Sequence, residues 1–133
     1  MKIEINKLVP DKIDLGFLEK FAKRILNQVK LNIPELSIVI VNDARMKSIN
    51  KKYRHKNKTT DVLSFEYGEI ILCLNQAKRQ AKKEKHLLKE ELEILLLHGI
   101  LHLAGYDDQT NDGYEKMVNK QNQVLRKIIS SPR

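Results

Sequence analysis

The segment Leu92-Glu93-Ile94-Leu95-Leu96-Leu97-His98-Gly99-Ile100-Leu101-His102-Leu103 constrains this chain more than any other. It is too apolar all round for a surface helix, so a helix over residues 87–104 has to be covered on most sides by other elements. Its two histidines stand four residues apart, which puts both imidazoles on one face, one turn above the other. Gly105 follows three residues after His102, where a left-handed glycine can end a helix and reverse the chain. That turn brings Asp107 or Asp108 back toward the histidines. Two imidazoles and one carboxylate, with a fourth position open to water, are a common catalytic zinc set. The spacing predicts an open metal centre on a rigidly held helix.

The rest of the chain supplies the cover. Ile3 and Ile5 alternate with polar neighbours between Lys2 and Lys7, the period of a half-buried strand. Asp14 caps a helix over residues 15–30, with Phe17, Leu18, Phe21, Ile25, Leu26 and Val29 on one apolar face. Residues 37–41 are β-branched enough for a strand buried on both faces. Asn42 or Asp43 caps a helix over residues 44–53 that turns Met46, Ile49 and Tyr53 inward. Residues 61–65 and 69–74 form a hairpin turning at Tyr67-Gly68. Asn75 caps the helix or basic loop that follows. Thr110-Asn111-Asp112 starts a last helix to about residue 129, with Met117, Val118, Val124, Leu125 and Ile128 inward and a short tail after it. The expected fold is α+β, a small mixed sheet of about four strands packed with about five helices, with the metal-bearing helix central. At 133 residues the chain is expected to form a single domain over residues 1–133.

Charge is unevenly spread within a formal net charge of +8. Between Arg45 and Lys58 there are seven basic residues and no acid, whereas from Glu90 to Glu115 there are seven acids and no lysine or arginine. Carboxylates around the histidines suit a cation. The basic segment suits a polyanion such as nucleic acid, or is a solvated helix face. Lys78, Arg79, Lys82, Lys83 and Lys85 form a second cluster that reads as solvated surface. Cys73 lies in an apolar run and reads as a buried, inert thiol. No apolar run approaches the ~18 residues that span a bilayer, and the first residues are no signal peptide. A cytoplasmic protein without membrane association is expected.

The run from His98 through Asp107 resembles the hallmark His-Gly-x-Leu-His-Leu-x-Gly-Tyr-Asp-His of the YbeY family, single-strand-specific endoribonucleases also described as ribosomal RNA maturation factors. A second family signature, Tyr-Arg, a short basic loop and Thr-Asp-Val-Leu-Ser-Phe, is similar to Tyr53-Arg54 and Thr60-Asp61-Val62-Leu63-Ser64-Phe65. Gly68-Glu69-Ile70 is similar to the Gly-Asp-Ile that follows. The resemblance implies a metal-dependent hydrolase that cuts single-stranded RNA, matures small-subunit ribosomal RNA ends and serves ribosome quality control. Its partner would be the ribosome or small subunit, and it would use no nucleotide cofactor. One divalent ion, zinc, would be held by His98, His102 and a third ligand that is histidine in the family and Asp108 here. Aspartate is shorter, and its charge makes the metal a weaker Lewis acid and favours a harder cation such as manganese.

By the same resemblance Arg54 joins His98 in catalysis and holds the scissile phosphate through two parallel hydrogen bonds. Lys51, Lys52, Lys56 and Lys58 then bind the RNA backbone alongside Arg54, without sequence preference. The general base stays open between a metal hydroxide, Asp61 and Asp107. Two rival functions share parts of this pattern. His98-x-x-x-His102-x-x-Gly105-x-x-Asp108 has metzincin metalloprotease spacing, but the glutamate those enzymes carry directly after the first histidine is Gly99 here. A non-catalytic ribosome-assembly RNA-binding factor with a structural metal would need a fourth protein ligand, and His55 and His86 are the only other histidines.

Overall fold

Alternating Ile3 and Ile5 make β1 (Lys2–Lys7), which lies parallel to β2 (Glu35–Val41) in the computed structural model of the protein, whose described residues are 1–130. On the other side of β2 runs β4 (Glu69–Cys73), also parallel, and β3 (Val62–Phe65) closes the sheet antiparallel to β4. The order is therefore β1-β2-β4-β3, a mixed four-stranded sheet with the expected hairpin at one edge. Gly68 makes that hairpin possible. Its φ is +107°, its N–H donates to Phe65 O at 2.8 Å, and a Cβ there would lie 2.6 Å from the Glu35 carbonyl oxygen.

Five helices surround the sheet: α1 (Leu15–Leu26), α2 (Asp43–Arg54), α3 (Leu74–Glu84), α4 (Leu88–Leu103) and α5 (Asn111–Ser130). The large core lies on one face, where α1 and α4 pack Leu18, Ile25, Leu96 and Ile100 against Ile38 and Ile70, all fully buried. Met117, Val124 and Ile128 of α5 close the far side of α4, with Val118 and Leu125 partly buried beside them. The apolar helix α4 thus contacts α1, α3, α5, β3 and β4, as its composition requires. Of its two buried acids, Glu91 and Glu93, Glu91 is satisfied by the His86 ring and by Gln80 Nε2 at 2.8 Å. Among the described residues no helix is long and apolar enough to cross a membrane.

Several local expectations shift for identifiable reasons. Asp14 caps α1 by accepting from Gly16 N at 2.9 Å, but the helix ends at Leu26, and a further turn with Val29 N bonded to Ile25 O keeps Val29 buried. The second sheet face carries only α2 and a small cluster around Met46, Leu63 and Ile71, so Ser37 and Val39 of β2 stay partly exposed. On α2 the inward position falls to Asn50 and not Tyr53, which is 57% exposed. Asn50 Nδ2 donates to Lys58 O at 2.9 Å and so ties the basic loop back onto the helix. Ser130 belongs to α5, and the rest of the expected tail lies outside the described residues.

Asn75 does not cap α3, because that helix starts directly from β4 with Cys73 at its N-cap. Its side chain instead accepts from Asp43 N at 2.8 Å, while Asn42 caps α2 through Arg45 N. The Asp43 carboxylate takes two hydrogen bonds from Arg79 at 2.8 Å and one from the buried Cys73 thiol, which burial pushes up. Arg79 first, then Cys73 and Thr59, hold Asp43 down at about 2. A carboxylate lowered in the folded state stabilises it at neutral pH and loses that contribution as pH falls through the folded value. Arg79→Met is therefore expected to unfold at slightly lower urea at pH 7, the effect being small because solvent screens a half-exposed pair. Urea midpoints of the two proteins should converge as pH falls from about 4 to about 2.

Candidate metal centre

The last turns of α4 carry His98 and His102, whose Nε2 atoms lie 2.9 Å apart. Past Leu103 the chain reverses at Gly105, with φ +100°, Gly105 N bonded to His102 O and Tyr106 N to Leu101 O, both at 3.0 Å. The two aspartates after this turn then divide their work. Asp107 Oδ1 accepts from Gln109 N at 2.9 Å, and the Asp107 carbonyl is pressed so closely by Gly113 of α5 that a Cβ there would stand 2.6 Å away. Asp107 braces the loop, while Asp108 turns its carboxylate toward the histidines, with Oδ2 3.8 Å from His98 Nε2.

His98, His102 and Asp108 offer ligand atoms that all lie within 4.8 Å of one another. Bonds of about 2.0–2.2 Å to a tetrahedral ion place such donors only a little over 3 Å apart. The donor set fits a divalent ion in its chemistry, with the Asp108 carboxylate standing somewhat farther out than ligation requires. Burial, and then the neighbouring His102, lower the His98 pKa, against the pull of Asp61 and Asp108. That favours the neutral imidazole, the form that ligates metal. Among the described residues no fourth histidine, cysteine or carboxylate joins the group, which leaves the site open on one side. His86 is engaged with Glu91, and His55 ends α2 in the left-handed conformation.

The opening faces a cleft of about 370 Å³ between α4, the loop after it and the exposed edge of β3. Arg54, the last residue of α2, forms part of its wall together with Asp61, Asp107 and Gln109. Lys51, Lys52, Lys56 and Lys58 are all exposed and stand outside the cleft, on the end of α2 and the loop that Asn50 tethers. Thr60, Ser64 and Gln109 also line the cleft; the first two belong to the second signature but had no site role in the sequence, and Gln109 lies outside both motifs. Ser64 carried a signal, as a hydroxyl inside an otherwise apolar strand, whereas Gln109 carried none.

Gly99 faces away from the cleft toward the sheet. A Cβ on it would meet Ile70 Cγ2 at 2.9 Å and Ser64 Oγ at 3.2 Å, and Ser64 Oγ donates to Gly99 O at 2.9 Å. The position that holds the general base of a metzincin is here a helix-to-sheet contact with no room for a side chain.

Comparison with known proteins extends over almost the whole molecule. The family model described as endoribonuclease YbeY matches residues 4–129. Proteins named endoribonuclease YbeY from Sulfurihydrogenibium sp. and Aquifex aeolicus are 40% and 38% identical, each aligned over 96% of this chain and over 92% and 89% of their own lengths. The solution structure of TM1509 from Thermotoga maritima, 27% identical, superposes with a TM-score of 0.61 over 98% of this chain and 93% of that one. The matched span runs from within β1 through the hairpin and the His98, His102 and Asp108 group into α5, and the chain belongs to the endoribonuclease YbeY family.

Proposed function

We propose that this protein is a cytoplasmic, metal-dependent endoribonuclease that cuts single-stranded RNA while ribosomal RNA is matured at its small-subunit ends, with the ribosome or small subunit as partner. The observation that carries the proposal is the open His98, His102 and Asp108 group beside Arg54 in a polar cleft, in a chain of this family. The two imidazoles and the carboxylate would hold one zinc ion, which when bound lowers the pKa of a water nucleophile and offsets phosphoryl charge. Arg54 grips the scissile phosphate through two parallel hydrogen bonds and meets the charge that builds on it in the transition state. Asp61 and Asp107 both line the cleft, and one of these carboxylates would accept the proton that the nucleophile releases. Lys51, Lys52, Lys56 and Lys58 hold the strand outside the cleft by phosphate contacts that weaken with salt.

Arg54→Ala is expected to lower kcat on single-stranded RNA by about 10²–10³ while metal content per chain stays at the wild-type level. Single-turnover cleavage of an end-labelled RNA beside a casein control measures this. Wild-type protein loaded with zinc or manganese that cuts casein and no RNA would overturn the nuclease. Wild-type turnover in Arg54→Ala would remove the arginine from it.

A further inference from the structure

The segment that leads into the cleft carries three rings that form a continuous surface ladder. Tyr53 and Phe65 meet edge to face with centroids 5.5 Å apart, and Phe65 and Tyr67 stack at 5.7 Å with planes 21° apart. Tyr53 is 57% exposed and Tyr67 72%, so the ladder ends on two wet rings. Strand alternation explains where it lies. Ser64 points toward α4 and bonds Gly99, so Phe65 points to the opposite face, where α2 presents Tyr53. Phe65 is partly buried against the Met46 cluster, while Tyr53 at the end of α2 and Tyr67 in the hairpin turn stay exposed on either side of it.

The ladder stands outside the cleft, whose lining includes none of the three rings, and is tied to it along the chain. Tyr53 immediately precedes Arg54, and Tyr67 lies three residues beyond Ser64, about 10 Å of extended chain at most. Charge is split along it. Lys52 Nζ sits 5.2 Å from the Tyr53 ring centroid and Arg54 follows, whereas Glu66 and Glu69 flank Tyr67, whose hydroxyl donates to Glu69 Oε1 at 2.9 Å. A polyanion backbone is therefore welcome beside Tyr53 and repelled beside Tyr67. Aromatic faces next to a basic track are what an unpaired base needs, since every base has a π-face to stack and a duplex keeps its own faces occupied.

We infer that Tyr53, Phe65 and Tyr67 form a base-stacking subsite for single-stranded RNA, taking roughly the next one or two nucleotides beside the scissile phosphate, with the strand's backbone on the Lys52 and Arg54 side and its bases turned toward Tyr67. The inference rests on the endoribonuclease function proposed above and adds a physical source for single-strand preference. Tyr67 is the residue to vary, because its exposure leaves the core untouched and a leucine there changes no charge.

Fluorescence anisotropy of a short labelled single-stranded RNA, with divalent ions withheld so that the strand is not cut, tests this on the full chain. Tyr67→Leu should bind the single strand about tenfold more weakly, and Tyr67→Phe should restore the affinity. A labelled RNA duplex, held through its phosphates, should bind wild type and both variants alike. Wild-type affinity of Tyr67→Leu for the single strand would overturn the ladder alone, as would an equal loss on the duplex. Wild-type protein that binds neither RNA would overturn the endoribonuclease function and the ladder with it.

Discussion

His102→Ala is expected to purify without bound metal and to cut single-stranded RNA more than about a thousandfold more slowly than wild type, since it removes one of the three donors proposed to hold the ion. The loss should be chemical and not structural. His102 projects from α4 into the cleft, and the core side of the helix, Leu96, Leu97, Ile100 and Leu101, is untouched by the change. The metal-free variant should therefore melt close to metal-free wild type. Added zinc or manganese should raise the midpoint of wild type and leave that of the variant in place, because an ion stabilises only a fold that binds it. Mass spectrometry of untagged protein gives the metal per chain, and single-turnover cleavage gives the rate. Asp108→His is the companion change, since it supplies a third imidazole and should raise zinc affinity relative to manganese. Retention of one ion per chain by His102→Ala would mean that the ligands lie elsewhere.

Gly99→Glu should lose at least about 3 kcal/mol of stability, a large share of what a domain of this size has. The new Cβ would enter 2.9 Å from Ile70 Cγ2, on a residue that is itself fully buried, and the carboxylate beyond it would be driven between α4 and the sheet with no cation to meet it. Gly99→Ala separates the two effects. It keeps the clash but not the charge and gains helix propensity, so a net loss of about 1 kcal/mol is expected from urea unfolding. A Gly99→Glu protein with a wild-type urea midpoint would show that α4 can slide off β4. The same experiment bears on proteolysis, because the substitution supplies the residue a metzincin needs and the packing denies it a place in the cleft.

Much of the fold and of the candidate site was legible because it is local. The apolar run of α4, the four-residue spacing of His98 and His102, the helix-ending Gly105 and the Gly68 hairpin each follow from the period of one element or the backbone freedom of one residue. Where the expectation and the fold differ, the deciding contact lay outside the element itself. Tyr53 and Asn50 both lie near the inward stripe of α2, and Asn50 wins that place because the loop returns Lys58 O to it. Asn75 carries a capping side chain, but the helix it caps is α2, 32 residues earlier in the chain.

The carboxylate of the candidate site shows the same division. Chain order alone returns an aspartate to the imidazoles after His102, since Gly105 and the Asp107-Asp108 pair follow directly. Packing chooses between the two, through Gly113 of α5 docking on the Asp107 carbonyl and Gln109 N binding its side chain, which leaves Asp108 facing His98. Tertiary structure also brought Arg54 from the end of α2 to the same cleft and set Tyr53 beside Phe65 on the sheet edge. The physical reason is that periodicity encodes the direction of a side chain relative to its own helix or strand. What it meets there depends on how separate elements pack, and residues far apart in sequence settle that together.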